Sequence, residues 1–261
     1  MGEIESMNTK LHWQSFGQGP DLVLLHGWGM NGAVWQQTVE SLETDFCVHV
    51  VDLPGYGHSA EQHGEDLAHI ANLVIQDAPE KAIWLGWSLG GLVAMHIALT
   101  RPDRVHKLIT VASSPKFAAE KPWRGIQPHV LSAFTSQLNE DFALTIERFM
   151  ALQAMGSPSA RQDVKQLKQA VLSRPLPNPD SLLVGLNILA EVDLRDALSS
   201  LTMPMLRLYG RLDGLVPIKV ANDLSFQLPH TQQFVFSQSS HAPFMTEHDE
   251  FCSQIRGFAH N

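Results

Sequence analysis

The chain has 261 residues, 44% hydrophobic and 17% charged, which suits a globular protein with one α/β domain and an insertion. A net charge of −9 excludes nucleic acid as a general partner. No apolar run approaches the ~20 residues that a membrane helix needs, so no membrane is expected.

The first residues, Met1-Gly2-Glu3-Ile4-Glu5-Ser6-Met7, are acidic and lack the basic and apolar regions of a signal peptide, and Met7 is an alternative natural start. Leu11 to Phe16 alternates weakly and reads as an edge strand, closed by Gly17-Gln18-Gly19-Pro20. Leu22 to Leu25 is a continuous apolar run, the pattern of a strand buried on both faces, and it ends in His26-Gly27-Trp28-Gly29. A helix is predicted from about Ala33 to Leu42, then a strand over Phe46–Val51 that stops at the turn-rich Asp52-Leu53-Pro54-Gly55-Tyr56-Gly57-His58-Ser59. Asp66 to Asp77 has helical periodicity. From Ala82 an apolar run of strand type meets Gly86-Trp87-Ser88-Leu89-Gly90 and passes straight into an Ala/Leu-rich helix. Val105 to Ala112 is the next strand.

The alternation then breaks. Helical patterns appear near Pro128–Leu138, Asp141–Ala154, Ser159–Leu172 and Asp180–Glu191, with no good strand candidate from about Ser114 to Asp193. The sheet resumes at Met205–Gly210, followed by a helix near Pro217–Gln227, a strand at Gln233–Phe236 and a closing helix near Glu247–Phe258. Strands separated by helices imply a mostly parallel sheet with helices on both faces. The expected organisation is an α/β core of residues 1–113 and 193–261, interrupted by a helical cap at 114–192.

The two cysteines, Cys47 and Cys252, fall in apolar patterns and read as buried free thiols of a reducing cytoplasm. The thirteen histidines show no His-x-x-x-His spacing, and no Cys-x-x-Cys pair occurs, so neither a metal nor an organic cofactor is expected.

A Gly-x-Ser-x-Gly between a strand and a helix forces its serine onto a sharp turn with the hydroxyl clear of the sheet. Such a hydroxyl needs a base, itself oriented by an acid. Asp213, in the loop after a resumed strand, and His241, after the last strand, supply them in the order Ser, acid, His. Each alone has a plain alternative: a serine in a Gly-rich turn, an aspartate in a turn, a histidine in a surface loop. Their joint order at three strand ends favours catalysis by Ser88, His241 and Asp213. The backbone N–H of Leu89 and of Trp28 are the expected oxyanion donors. His26 reads as a loop brace, and Trp28 and Trp87 either pack or line the acyl pocket.

The motifs His26-Gly27-Trp28-Gly29, Asp52 to Ser59, Gly86 to Gly91, Gly210-x-x-Asp213 and His241-Ala242-Pro243-Phe244 together resemble the α/β-hydrolase superfamily over essentially the whole chain. Ala82 to Ala94, Val111 to Pro115, Glu147-Arg148-Phe149-x-Ala151-Leu152-Gln153 and Leu208 to Pro217 resemble more closely its family of pimeloyl-acyl carrier protein methyl ester esterases of biotin synthesis. That resemblance implies a cytoplasmic serine carboxylesterase, a monomer, whose partner is acyl carrier protein bearing the pimeloyl methyl ester. It also implies that Phe149, Met150, Ala151, Leu152 and Gln153 meet the acyl chain, with Trp28, Ser88, Leu89 and His241 around the ester.

Acyl carrier proteins are acidic, and the stretch from Leu144 to Pro175 holds five Lys/Arg against two acids. Arg161, Lys165 and Lys168, spaced to share a helix face, with Arg148 from the preceding helix, are the candidate carrier-docking residues. An ordinary solvated helix face is the alternative. Leu144 departs from the family, which can carry a basic residue at that place. Two other functions share the core motifs: a general short-chain carboxylesterase without a carrier, and a ligand receptor that keeps the triad.

Overall fold

The computed structural model describes residues 10–260, so the expectations about Met1 to Met7 lie outside the described residues. In chain order the core opens with β1 (Trp13–Phe16), β2 (Asp21–Leu25), a 3-10 turn at Gly32–Trp35, α1 (Gln36–Leu42), β3 (Cys47–Val51), α2 (Leu67–Gln76), β4 (Ala82–Trp87), α3 (Leu89–Thr100) and β5 (Val105–Val111). Four helices follow: α4 (Pro128–Glu140), α5 (Phe142–Ala154), α6 (Ala160–Leu172) and α7 (Pro179–Glu191). The core closes with β6 (Met205–Gly210), α8 (Ile218–Gln227), β7 (Gln232–Phe236), the short α9 (Pro243–Thr246) and α10 (His248–His260).

The seven strands form one sheet in the order β1-β3-β2-β4-β5-β6-β7. Only β1 runs antiparallel, against β3; the other five pairings are parallel. Every residue of β4 and of β6 is buried, as strands covered on both faces require; Arg207 of β6 meets this by donating to the Thr231 hydroxyl at 3.0 Å and the Ala221 carbonyl at 3.3 Å. α3 buries Leu89 to Met95, Ile97 and Ala98, so it is apolar on nearly every side and wedged inside the molecule. That fixes the turn before it.

Local chemistry sets the element ends. Asp66 caps α2 by accepting from the His69 N–H at 2.8 Å, and Asp141 caps α5 by accepting from the Leu144 N–H at 3.0 Å. Asn178 caps α7, with Pro179 in its first turn. Several element ends differ by a residue or more from the sequence reading, and two of them have a clear local cause. The helix expected from Ala33 is a 3-10 turn before α1 begins, because Asn31 accepts from the Ala33 N–H and tightens the start. β1 starts at Trp13 rather than Leu11, since the His12 N–H is turned onto the Ser59 hydroxyl. Cys252 is buried, whereas Cys47 is only half-buried, at the start of β3; both are free. No described helix is long and apolar enough to cross a membrane.

Candidate active site

Ser88 sits between β4 and α3 with φ +55° and ψ −118°, a conformation that costs a non-glycine residue ~1–3 kcal/mol. Neighbouring hydrogen bonds over-determine it: the Ser88 N–H donates to the Val111 carbonyl at 2.9 Å, and its own carbonyl accepts from the Ser113 hydroxyl at 2.8 Å and the Gly91 N–H at 2.9 Å. The turn closes so tightly that a Cβ on Gly86 would lie 2.1 Å from the Gly90 carbonyl oxygen, and one on Gly90 would lie 2.5 Å from that of Leu25. Both are backbone contacts, so no side chain can yield.

His241 Nε2 lies 2.9 Å from Ser88 Oγ, and His241 Nδ1 lies 2.7 Å from Asp213 Oδ2. The other Asp213 oxygen accepts from the N–H groups of Leu215 at 2.8 Å and Val216 at 3.0 Å. The carboxylate is therefore held by its own turn, which leaves one oxygen for the imidazole. All three residues are buried. The imidazole is anchored by its backbone too: the His241 N–H donates to the Gln153 carbonyl in α5 at 3.1 Å, and its carbonyl accepts from the Trp87 indole at 2.7 Å.

The loop after β2 lies against the serine. A Cβ on Gly27 would come within 3.2 Å of the Ser88 Cβ. Among the described residues the backbone N–H groups of Trp28 and Leu89 donate to no acceptor. His26 braces this loop: its Nδ1 donates to the Gly27 carbonyl at 2.9 Å, and its Nε2 accepts from the Leu53 N–H at 3.0 Å. Burial pushes the His26 ring down to about 4 against the pull of Asp52, so it is neutral at neutral pH.

The helical segment covers this site and is tied to it. The Trp28 indole donates to the Leu182 carbonyl in α7 at 2.8 Å, and its ring meets Phe149 of α5 at 4.8 Å. Arg174, just after α6, reaches Asp52 Oδ1 at 2.7 Å and Gln14 at 2.6 Å. The Asn31 amide donates to the Val171 carbonyl at 3.2 Å. Gly185 makes room for this packing, because a Cβ there would sit 2.5 Å from the Trp28 ring.

Of the five cap residues expected at the acyl chain, Phe149, Met150 and Gln153 are buried, Leu152 is half-buried and Ala151 is exposed. Five consecutive helical residues cannot share one face. Trp87 spends its indole on His241 and packs on Phe244 and Trp35, so it braces the site rather than lining it. Arg148, Arg161, Lys165 and Lys168 are all exposed. Lys168 pairs with Glu147, and Arg174, which the sequence counts with the basic stretch, belongs to Asp52. The contributions of Gln153 O, Arg174, Asn31 and Gly185 escaped the sequence reading; each depends on a partner far away in the chain.

A model of the alpha/beta hydrolase fold family matches residues 20–248. Solved structures with the same fold include an esterase from Exiguobacterium antarcticum, with TM-score 0.84, 23% identity and 96% of each chain covered. A bromoperoxidase from Bacillus anthracis superposes with TM-score 0.86 at 20% identity, over 96% of this chain and 95% of the other. Pimeloyl-[acyl-carrier protein] methyl ester esterase of Vibrio parahaemolyticus is 88% identical over 253 residues, 97% of this chain and 99% of that protein. The protein of the same name from Vibrio cholerae is 70% identical over 253 residues, with the same coverage. The chain belongs to the α/β-hydrolase fold family and, within it, to the pimeloyl-[acyl-carrier protein] methyl ester esterases.

Proposed function

We propose that this chain is a serine carboxylesterase that hydrolyses the methyl ester of pimeloyl-acyl carrier protein, releasing methanol. One observation carries the chemistry: an unbroken line from Ser88 Oγ through both ring nitrogens of His241 to Asp213. The substrate rests on the family.

His241 Nε2 takes the Ser88 proton as Oγ attacks the ester carbonyl, and Asp213 holds the other nitrogen as an N–H donor and stabilises the imidazolium. The N–H groups of Trp28 and Leu89 receive the oxyanion; such a donor is worth about 3–4 kcal/mol in the transition state. The imidazolium then protonates the departing methoxide, leaving the acyl group on Ser88. Water activated by the neutral His241 attacks that ester and regenerates the serine. This sequence needs neither metal nor organic cofactor.

Residues 114–192 act as a cap, with Phe149, Met150 and Gln153 turned toward the acyl chain and Ala151 outside the pocket. Arg148, Arg161 and Lys165 receive the acidic carrier, with Lys168 held by Glu147 at the edge. The enzyme works as a cytoplasmic monomer, where its carrier is found.

The test is product analysis with pimeloyl-carrier methyl ester and, separately, a free short-chain ester. Wild type should release methanol and the carrier-bound free acid, and Ser88→Ala should lose roughly 10⁴-fold or more in turnover. Near-normal turnover by folded Ser88→Ala would remove Ser88 from the mechanism. Hydrolysis of the free ester alone would favour a general carboxylesterase, and turnover of neither a triad-retaining receptor.

A further inference from the structure

The end of the sheet away from Ser88 holds a second cluster of chemically capable side chains. Cys47 opens β3 and His49 follows two residues later, so both leave the same face, while Val48 and Val50 are buried on the other. Asp21 opens β2 directly beside Cys47 in the parallel register. The Cys47 sulfur, a His49 ring nitrogen and an Asp21 carboxylate oxygen all lie within 4.8 Å of one another, and all three residues are half-buried. His49 Nε2 is 2.7 Å from Asp21 Oδ1. Its other nitrogen, Nδ1, is 2.8 Å from the hydroxyl of Ser15, its register partner on β1.

We propose that Asp21, Cys47 and His49 form a binding site for a divalent cation of the zinc class, three protein ligands completed by water.

The donor set decides the class. Magnesium and calcium take oxygen ligands, whereas a thiolate, an imidazole and a carboxylate together suit zinc. Ligand bonds of about 2.0–2.3 Å around a tetrahedral ion put the donors roughly 3.3–3.7 Å apart. His49 Nε2 and Asp21 Oδ1 must then part by well under about 1 Å, and the sulfur must draw in. The ion replaces the proton shared between that pair, and the Cys47 thiol proton leaves to solvent. Ser15 accepts from Nδ1–H, which fixes the tautomer and turns Nε2 toward the ion, as outer partners of metal-bound histidines do. The ligands ride on paired strands in fixed register, so little order has to be gained. Because Ser88 lies at the opposite ends of these strands, the ion clamps the β1, β3 and β2 edge and takes no part in ester hydrolysis. No spacing rule shows the site, since its carboxylate comes from another strand.

The full-length chain, stripped of metal, is titrated with Co²⁺. A thiolate-to-cobalt charge-transfer band with tetrahedral d–d bands should appear, saturate at one ion per chain and vanish on adding Zn²⁺. Cys47→Ser and His49→Gln should lose it, Ser15→Ala should bind about tenfold more weakly, and Cys252→Ser should keep it. Zn²⁺ should raise the wild-type Tm progressively with concentration but not that of Cys47→Ser. Turnover of a free short ester reports that each variant is folded and should not respond to the ion. Absence of the band in wild type, its survival in Cys47→Ser or its loss in Cys252→Ser would overturn the site, leaving a His49–Asp21 hydrogen bond beside a bystander thiol.

Discussion

His26 shows how one buried side chain can couple the site to pH. Its ring is 0% exposed and spans the loops after β2 and β3, with both nitrogens engaged while it is neutral. In the unfolded chain the same ring takes a proton near pH 6.5; in the native protein burial delays this to about 4. Between those values the unfolded state binds more protons, so stability rises with pH there and is lost as pH falls from 6.5 toward 4. The full effect is on the order of 3 kcal/mol. Urea unfolding of wild type and His26→Gln at pH 7 and pH 4.5 isolates it from other titrations. The stability gap between the two proteins should narrow at the lower pH; a gap independent of pH would show that His26 is not the sensor. That His26 braces a loop is legible from its place in the motif, whereas its hydrogen bond from Leu53 is not.

At the scale of elements, the turn between β4 and α3 is the most constrained piece of the core. α3 cannot slide to relieve a clash, because it is buried on nearly every side. Gly90→Val would place its Cβ against the Leu25 and His26 carbonyl oxygens, at 2.5 and 2.6 Å. We expect this variant to lose at least ~2 kcal/mol of stability or to displace Ser88, with esterase activity falling in either case. Thermal melting and active-site labelling by a fluorophosphonate measure the two outcomes, and a stable, fully labelled variant would contradict both. The strands, the helices and this elbow are legible because each is written within a dozen neighbouring residues: apolar runs, helical periodicity from Asp66 or Asp141, Gly86 and Gly90 around Ser88. Harder to read were the 3-10 turn at Gly32–Trp35 and α9, both shorter than the period on which helix recognition depends. The resemblance marks Phe149 to Gln153 as one stretch, and helical geometry divides it between buried and exposed sides.

For the whole molecule, the sign of charge is unevenly spread, and that bears on how a carrier would arrive. Arg148 on α5 and Arg161 and Lys165 on α6 are exposed on helices that pack together. Leu144, one turn before Arg148, is 38% exposed and adds an apolar member to this face. Converting Arg148, Arg161 and Lys165 to Glu should raise KM for the carrier-bound ester about tenfold, since exposed pairs are worth roughly 1 kcal/mol or less each. Turnover of a free short ester should be unchanged, and added salt should mimic the variant only for the carrier substrate. Equal loss on both substrates would mean that these residues hold the cap; no loss on either, that the face is merely solvated. Counting charges along the chain included Arg174 in this surface, because only the folded chain shows it turned inward to Asp52. The same long reach governs the triad. Ser88 and His241 are 153 positions apart, and between them lie α3 to α8, the strands β5, β6 and β7, and the loop that carries Asp213. Contacts so distant in sequence carry the entropic cost of closing a very large loop. A chain in which only β4 and α3 had formed would carry the serine turn without its proposed base, so the proposed nucleophile gains its partner only when the loop after β7 has docked.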